Sequence, residues 1–167
     1  MQLTIDELVH FTDEERAKWE RWFSVRGHGP LTLRLAGGTH ATVGALMMHI
    51  FRPERRYVQR LRGEPLTESR NVPTDMWEEI FTFGHETREG LRQFVDEATP
   101  EDWGHIHEFA LRPNSRQQYQ IRATTRKIIL HVLMHEIRHW AQIARVVREH
   151  GMAPPGDHDL LLSDALE

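Results

Sequence analysis

Three histidines that are candidates for chemistry lie in the last long apolar segment, between Lys127 and Gly151. His131, His135 and His139 lie at positions i, i+4 and i+8. On an α-helix, residues at this spacing drift by only about 40° per step and lie roughly 6 Å apart along one face. Because the imidazole of histidine is the commonest metal ligand in proteins, this spacing indicates a metal site.

The surroundings of these histidines strengthen a signal that is weak alone. A chain of 167 residues with 12 histidines contains roughly one i,i+4 pair by chance. Here Gln142 joins the same helical face, and Ile128 and Val146 place apolar groups at its two ends. An unpartnered buried polar group costs about 1–3 kcal/mol, so the imidazoles need hydrogen bonds or a cation. Core histidines bonded to one another or to facing carboxylates are the alternative.

The composition narrows the class of protein. A chain of 167 residues with a net charge of −4 is expected to form a single domain over residues 1–167, and its interspersed charges predict no nucleic-acid partner. Without cysteine, a metal must be held by His, Asp or Glu. No segment approaches 18 apolar residues, so we expect no membrane partner and a cytoplasmic protein.

Periodicity and capping signals predict four long helices, at residues 5–25, 42–62, 75–98 and 124–150. Alternating apolar residues over 106–123, around Pro113, Asn114 and Ser115, predict a short β-hairpin before the last helix. The fold class is therefore an all-α four-helix bundle with long crossover connections and that hairpin. In such bundles, facing helices build metal sites in the core.

Two positions predict irregular helices. Thr12 to Glu15 repeats the capping-box pattern of Thr4 to Glu7, which predicts a break in helix 1 near Thr12. Pro53 cannot donate a hydrogen bond to the carbonyl of His49, so helix 2 is expected to kink there or to begin a new segment.

The bundle places a further histidine, His49 of helix 2, opposite the last helix. Together with a pair from that helix it would supply three imidazoles to one cation and leave other coordination positions open, as a reactive site requires. The pair His131–His135 and the pair His135–His139 have the same geometry, so spacing leaves both open. Gln142 is predicted to hydrogen-bond a water on the metal.

At these residues the sequence resembles the DinB/YfiT-like family of damage-inducible proteins over nearly its whole length. The anchors are the histidine eight residues before the tyrosine in TVGALMMHIFRPERRYVQRLRG, and the H-x-x-x-H followed by glutamine in HVLMHEIRHWAQI. The resemblance implies a four-helix bundle, frequent homodimers and a divalent metal held by His49, His135 and His139. His131 and Gln142 would then line the pocket. Trp140 and Ala141 stand where the family more often has arginine and glycine.

The chemistry implied is metal-dependent. Zn²⁺ or Ni²⁺ suits this ligand set, with Fe²⁺ and Mn²⁺ as alternatives. Such a cation activates water or a thiol by lowering its pKa. The resemblance implies a small-molecule substrate, with a low-molecular-weight thiol as one candidate, and hydrolysis or thiol-dependent transfer or isomerisation. No catalytic residue beyond the ligands is assigned.

Two other functions fit the same residues. A stress-related bundle without catalysis could use the histidines structurally. His135 to His139 also reads H-E-x-x-H, in which zinc peptidases use the glutamate as general base. The longer motif of the metzincin peptidases fails here, because Gln142 and Arg145 stand at its glycine and third histidine.

Overall fold

The computed structural model describes residues 3–36, 40–67, 71–114, 117–156, 158, 161 and 163–166. The described chain is mostly helical, and an antiparallel pair of strands precedes its last long helix, as predicted. The elements in chain order are α1 (Ile5–Arg26), a 3₁₀ turn (Gly29–Thr32), α2 (Val43–Leu61), α3 (Trp77–Glu97), α4 (Pro100–Gly104), β1 (Ile106–Asn114), β2 (Gln117–Thr124), α5 (Thr125–Glu149) and a 3₁₀ turn (Asp164–Leu166). Ser115 of the predicted hairpin turn lies outside the described residues.

The ends of the long helices follow the capping signals of the sequence. Thr4 and Glu7 form a reciprocal capping box at the start of α1. Gly63 and Gly151 follow α2 and α5 with φ of +67° and +75°. Because a side chain is strained in this left-handed region, glycine is the residue that ends a helix there.

The helices of the structure differ from the expected ones at three places. α1 has no break at Thr12, whose hydroxyl donates to the carbonyls of Leu8 and Val9 within the helix. Of the two outcomes predicted at Pro53, the start of a new segment does not occur, because α2 is one helix from Val43 to Leu61. The short helix α4, capped by Thr99, was not predicted.

The long helices pack around apolar clusters, and α2 contacts α3 and α5 while α1 contacts the same two helices. The hairpin covers one end of the α2–α5 interface, where Phe109 and Ile121 pack beside Tyr57. Within the described part of the chain, every helix is too short or too polar to cross a membrane.

Four charged side chains lie inside this core, one from each long helix: Arg16 of α1, Glu54 of α2, Arg88 of α3 and Glu136 of α5. Each is at most 5% exposed. Arg16 donates to both oxygens of Glu136, at 2.7 and 2.8 Å. Arg88 donates to Glu136 at 2.6 Å, and both arginines reach the same oxygen of Glu54. We call these four residues the buried charge network.

The buried charge network is neutral in sum because two guanidinium groups face two carboxylates. Burial alone would raise the pKa of Glu136, but the charges of Arg16 and Arg88 outweigh burial and hold that pKa below its ordinary value. Removing one partner would leave a buried charge uncompensated, which is the costly way to disrupt such a network.

Replacement of Arg88 by methionine is therefore expected to lower the free energy of unfolding by about 3–5 kcal/mol, measured by urea denaturation. Arg92 lies one turn further along α3, is 48% exposed and pairs with Asp13 at the surface. Arg92→Met is the matched control and should cost at most about 1 kcal/mol. Equal losses in the two variants would contradict a stabilising role for the network.

Candidate metal site

Two capped helices carry the candidate ligands. Thr42 caps α2, which bears His49, and Thr124 caps α5, which bears His135 and His139. Trp140, where the family more often has arginine, lies in the core at the junction of these helices and is 2% exposed. Its ring stacks on Phe81 and contacts Phe51 of α2, so the tryptophan at this position fills the core beside the site.

The structure brings His49, His135 and His139 together. The Nε2 atom of His135 lies 3.2 Å from Nε2 of His49 and 3.0 Å from Nε2 of His139. One potential ligand atom from each of the three residues lies within 4.8 Å of the other two. Imidazole nitrogens bound to a tetrahedral zinc ion lie about 3.3 Å apart, so a small outward shift of these rings would admit a cation.

The neighbouring amide determines which nitrogen of His139 faces the cluster. Nδ1 of His139 lies 2.7 Å from Oε1 of Gln142, and only a protonated Nδ1 can donate to that oxygen. A neutral His139 therefore presents the lone pair of Nε2 to His135. The amide oxygen of Gln142 thus orients a candidate ligand, and the contact between Gln142 and a water on the metal stays a prediction.

The three facing nitrogens cannot all be satisfied by protons. If Nε2 of His135 carries a proton, that proton can point at His49 or at His139 but not fully at both. If Nε2 of His135 carries none, two lone pairs face each other across 3.0 Å. A cation between the three nitrogens would satisfy every lone pair, so the residues present fit a divalent metal.

The electrostatic surroundings keep the imidazoles neutral. Burial, together with the charges that His139, His49, His131 and Arg138 would carry, lowers the pKa of His135 to about 3. Burial and His40 are the leading causes that lower the pKa of His49 to about 4. Neutral imidazole is the form that binds a metal.

Two further histidines flank the cluster without joining it. His131 lies outside the group of three facing nitrogens; its ring is 5.8 Å from that of His135 and packs edge-on against Tyr57 at 5.6 Å. The ring of His40, in the segment before α2, lies 4.0 Å from that of His49. Sequence reasoning missed His40 because it has no helical spacing to the ligands; its place just before the cap Thr42 was the available signal.

The glutamate of the H-E-x-x-H sequence faces away from the histidines. Glu136 is 1% exposed, and its two oxygens accept hydrogen bonds from Arg16, Arg88 and Trp140. Successive helical residues project about 100° apart, which places this carboxylate in the core while His135 faces the cluster. It is therefore a member of the buried charge network, with a lowered pKa, rather than a free general base.

Comparison with solved structures shows the same fold in two crystal structures. A DinB-like protein from Bacillus cereus ATCC 10987 matches with a TM-score of 0.63 and 19% sequence identity, over 88% of this chain and 95% of that one. The DinB-like protein YjoA from Bacillus subtilis matches with a TM-score of 0.61 and 16% identity, over 92% and 95% of the two chains. No curated protein matches the sequence.

The family model of DinB matches residues 1–165, which is nearly the whole chain. With this match and the three clustered histidines in place, the chain belongs to the DinB family.

Proposed function

We propose that this protein is a metal-dependent enzyme, folded as one four-helix-bundle domain, that acts on a small molecule. His49, His135 and His139 would hold one divalent cation, with Zn²⁺ or Ni²⁺ as the expected ions. The reaction is hydrolysis, or transfer or isomerisation that uses a low-molecular-weight thiol. We also propose that the protein is a homodimer and is located in the cytoplasm.

The observation that carries the proposal is the convergence of three imidazole nitrogens near the protein surface. His139 is buried, but His49 and His135 are both partly exposed, so the cluster is accessible from one side. Structural zinc sites are usually closed by four protein ligands, whereas catalytic sites have three and leave a position for a reactant. The described residues supply three, which supports a reactive site over a structural one.

A bound divalent cation would supply Lewis acidity, which lowers the pKa of water or of a thiol at an open position. The chain's own residues have separate tasks. Gln142 fixes the proton of His139 on Nδ1, and the buried charge network fixes the rotation of α5 about its axis through Glu136. The engagement of Glu136 in that network argues against the zinc-peptidase alternative, since its general base would be missing.

Protein purified without a histidine tag and loaded with Zn²⁺ should bind one ion at this site, and His49→Ala should abolish that binding because one of three ligands is lost. At a free metal concentration of 100 Kd, the wild-type protein should gain about 2.7 kcal/mol of stability, and the variant should gain none. Titration calorimetry and thermal unfolding measure the two effects.

His131→Ala is the matched control, because His131 lies on α5 one turn from His135 but outside the cluster. This control should keep its metal. Loss of the ion in His131→Ala together with its retention in His49→Ala would contradict the proposed ligand set. Failure of the wild-type protein to bind any divalent ion would contradict it as well. Turnover of thiol conjugates by metal-loaded protein, absent in His49→Ala, would separate the enzyme from a non-catalytic metal protein.

Gln142→Leu should weaken metal affinity by about 10- to 100-fold, because His139 loses the acceptor that fixes its proton and its ring orientation. Gln142→Glu keeps an oxygen acceptor at this position and should bind the metal at least as tightly as the wild type. Competition with a chelator of known affinity measures both variants. Unchanged affinity in Gln142→Leu would show that this hydrogen bond does not matter for binding.

The pH dependence of metal binding follows from the lowered pKa values. The pKa values of about 4 for His49 and about 3 for His135 mean that protons compete with the metal only in acid. Between pH 7.5 and pH 5.5 the affinity should therefore fall by no more than about tenfold, whereas three imidazoles with ordinary pKa values near 6.5 would lose about a thousandfold. A loss close to the larger figure in calorimetric titrations at the two pH values would contradict the described environment.

A further inference from the structure

A partly buried arginine lies beyond the histidines and has no acidic partner among the described residues. The Cζ atom of Arg60, in the last turn of α2, lies 4.9 Å from the ring centroid of Phe109 and 5.6 Å from that of Tyr57. Within residues 3–36, 40–67, 71–114 and 117–156, no carboxylate pairs with its guanidinium. Burial lowers the pKa of Arg60; Tyr57 opposes this shift, and the charge of Arg56 adds to it. A cation drawn partly out of water without a counter-charge favours binding of an anion.

A row of rings connects this arginine to the candidate metal site. The ring of His131 lies 5.8 Å from that of His135 and 5.6 Å from that of Tyr57, which in turn lies 6.1 Å from that of Phe109. Neither His131 nor the Tyr57 hydroxyl has a hydrogen-bond partner among the described residues. We call the side chains of His131, Tyr57, Phe109 and Arg60 the wall. The imidazole of His131 and the hydroxyl of Tyr57 are free polar groups along it, and the guanidinium of Arg60 is a cation at its far end.

We propose that this wall is the substrate subsite and that Arg60 binds a carboxylate of a small organic ligand whose other end reaches His49, His135 and His139. The inference rests on the proposed function for the metal end of the ligand. A guanidinium group matches a carboxylate with two parallel hydrogen bonds, and aromatic faces hold its plane in place. Each step along the wall is about 6 Å, so the ligand has the size of a short peptide, at roughly 3.3–3.6 Å per residue.

A purely structural role for Arg60 makes a different prediction. In that case the guanidinium only pins Phe109 of the hairpin to Tyr57 of α2, and its loss would reduce stability without changing which ligands bind. Discrimination between a free carboxylate and its ester therefore separates the two roles. Arg56 offers a matched control because it carries the same charge on the same helix but is exposed and has no ring contact in the described structure.

The test compares glutathione, a tripeptide thiol with two free carboxylates, with its diethyl ester, which keeps the thiol and lacks both acids. Zinc-loaded wild-type protein should bind glutathione at least tenfold more tightly than the ester in calorimetric titrations. Arg60→Gln should bring this ratio close to one, while Arg56→Gln should keep it. A ratio near one in the wild type, or an unchanged ratio in Arg60→Gln, would overturn the proposal. If Arg138→Gln lost the discrimination between glutathione and its ester while Arg60→Gln kept it, the proposal would also be overturned, because Arg138 of α5 would then bind the carboxylate.

A second readout does not depend on the metal. In nitrogen-15 spectra of metal-free protein, the side-chain Nε–H signal of Arg60 should shift on addition of glutathione and stay in place with the diethyl ester. If no metal binds, the proposed function fails while this shift still supports the subsite. If metal binds and the signal of Arg60 does not respond, only the subsite fails. Should Arg60→Gln not fold, Arg60→Lys keeps a positive charge and should retain part of the discrimination.

Discussion

The structure depends on a neutral set of four charges buried where the long helices meet. Arg16, Glu54, Arg88 and Glu136 come one from each of these helices, and each carboxylate accepts hydrogen bonds from both arginines. Apolar packing alone tolerates rotation or sliding of one helix against another, whereas a misplaced ion pair leaves a charge unpaired at a cost of several kcal/mol. The network therefore constrains the rotation of each helix about its own axis.

The same constraint orients the histidines, because they lie close to Glu54 and Glu136 along α2 and α5. Glu136 lies between His135 and His139 on α5, and Glu54 follows His49 by five residues on α2. When both carboxylates face the arginines, the imidazoles are turned towards one another near the surface. As a result, Nε2 of His135 lies 3.2 Å from Nε2 of His49 and 3.0 Å from Nε2 of His139, and no carboxylate of the described residues joins this group. That arrangement is unfavourable for neutral imidazoles and favourable for a cation.

Much of this could be predicted from local patterns. Capping residues and helical periodicity predicted the long helices, and alternation predicted the hairpin, because these signals act over a few residues. The buried charge network was missed because its members are up to 120 residues apart. Each nevertheless lies three or four residues from a large apolar residue of its helix, as Arg16 does from Trp19, and that was the available signal. The H-E-x-x-H spacing could not show that Glu136 faces the core, and helical spacing could not choose between two histidine pairs.

X-ray absorption of the zinc-loaded protein would show directly whether imidazoles from α2 and α5 hold one cation. We expect three imidazole nitrogens in the first coordination shell at about 2.0–2.1 Å, with an oxygen from solvent as the remaining scatterer. In His49→Ala the imidazole count should fall, or the ion should be absent. A wild-type spectrum with fewer than three imidazoles, or the same spectrum in the variant, would contradict the account.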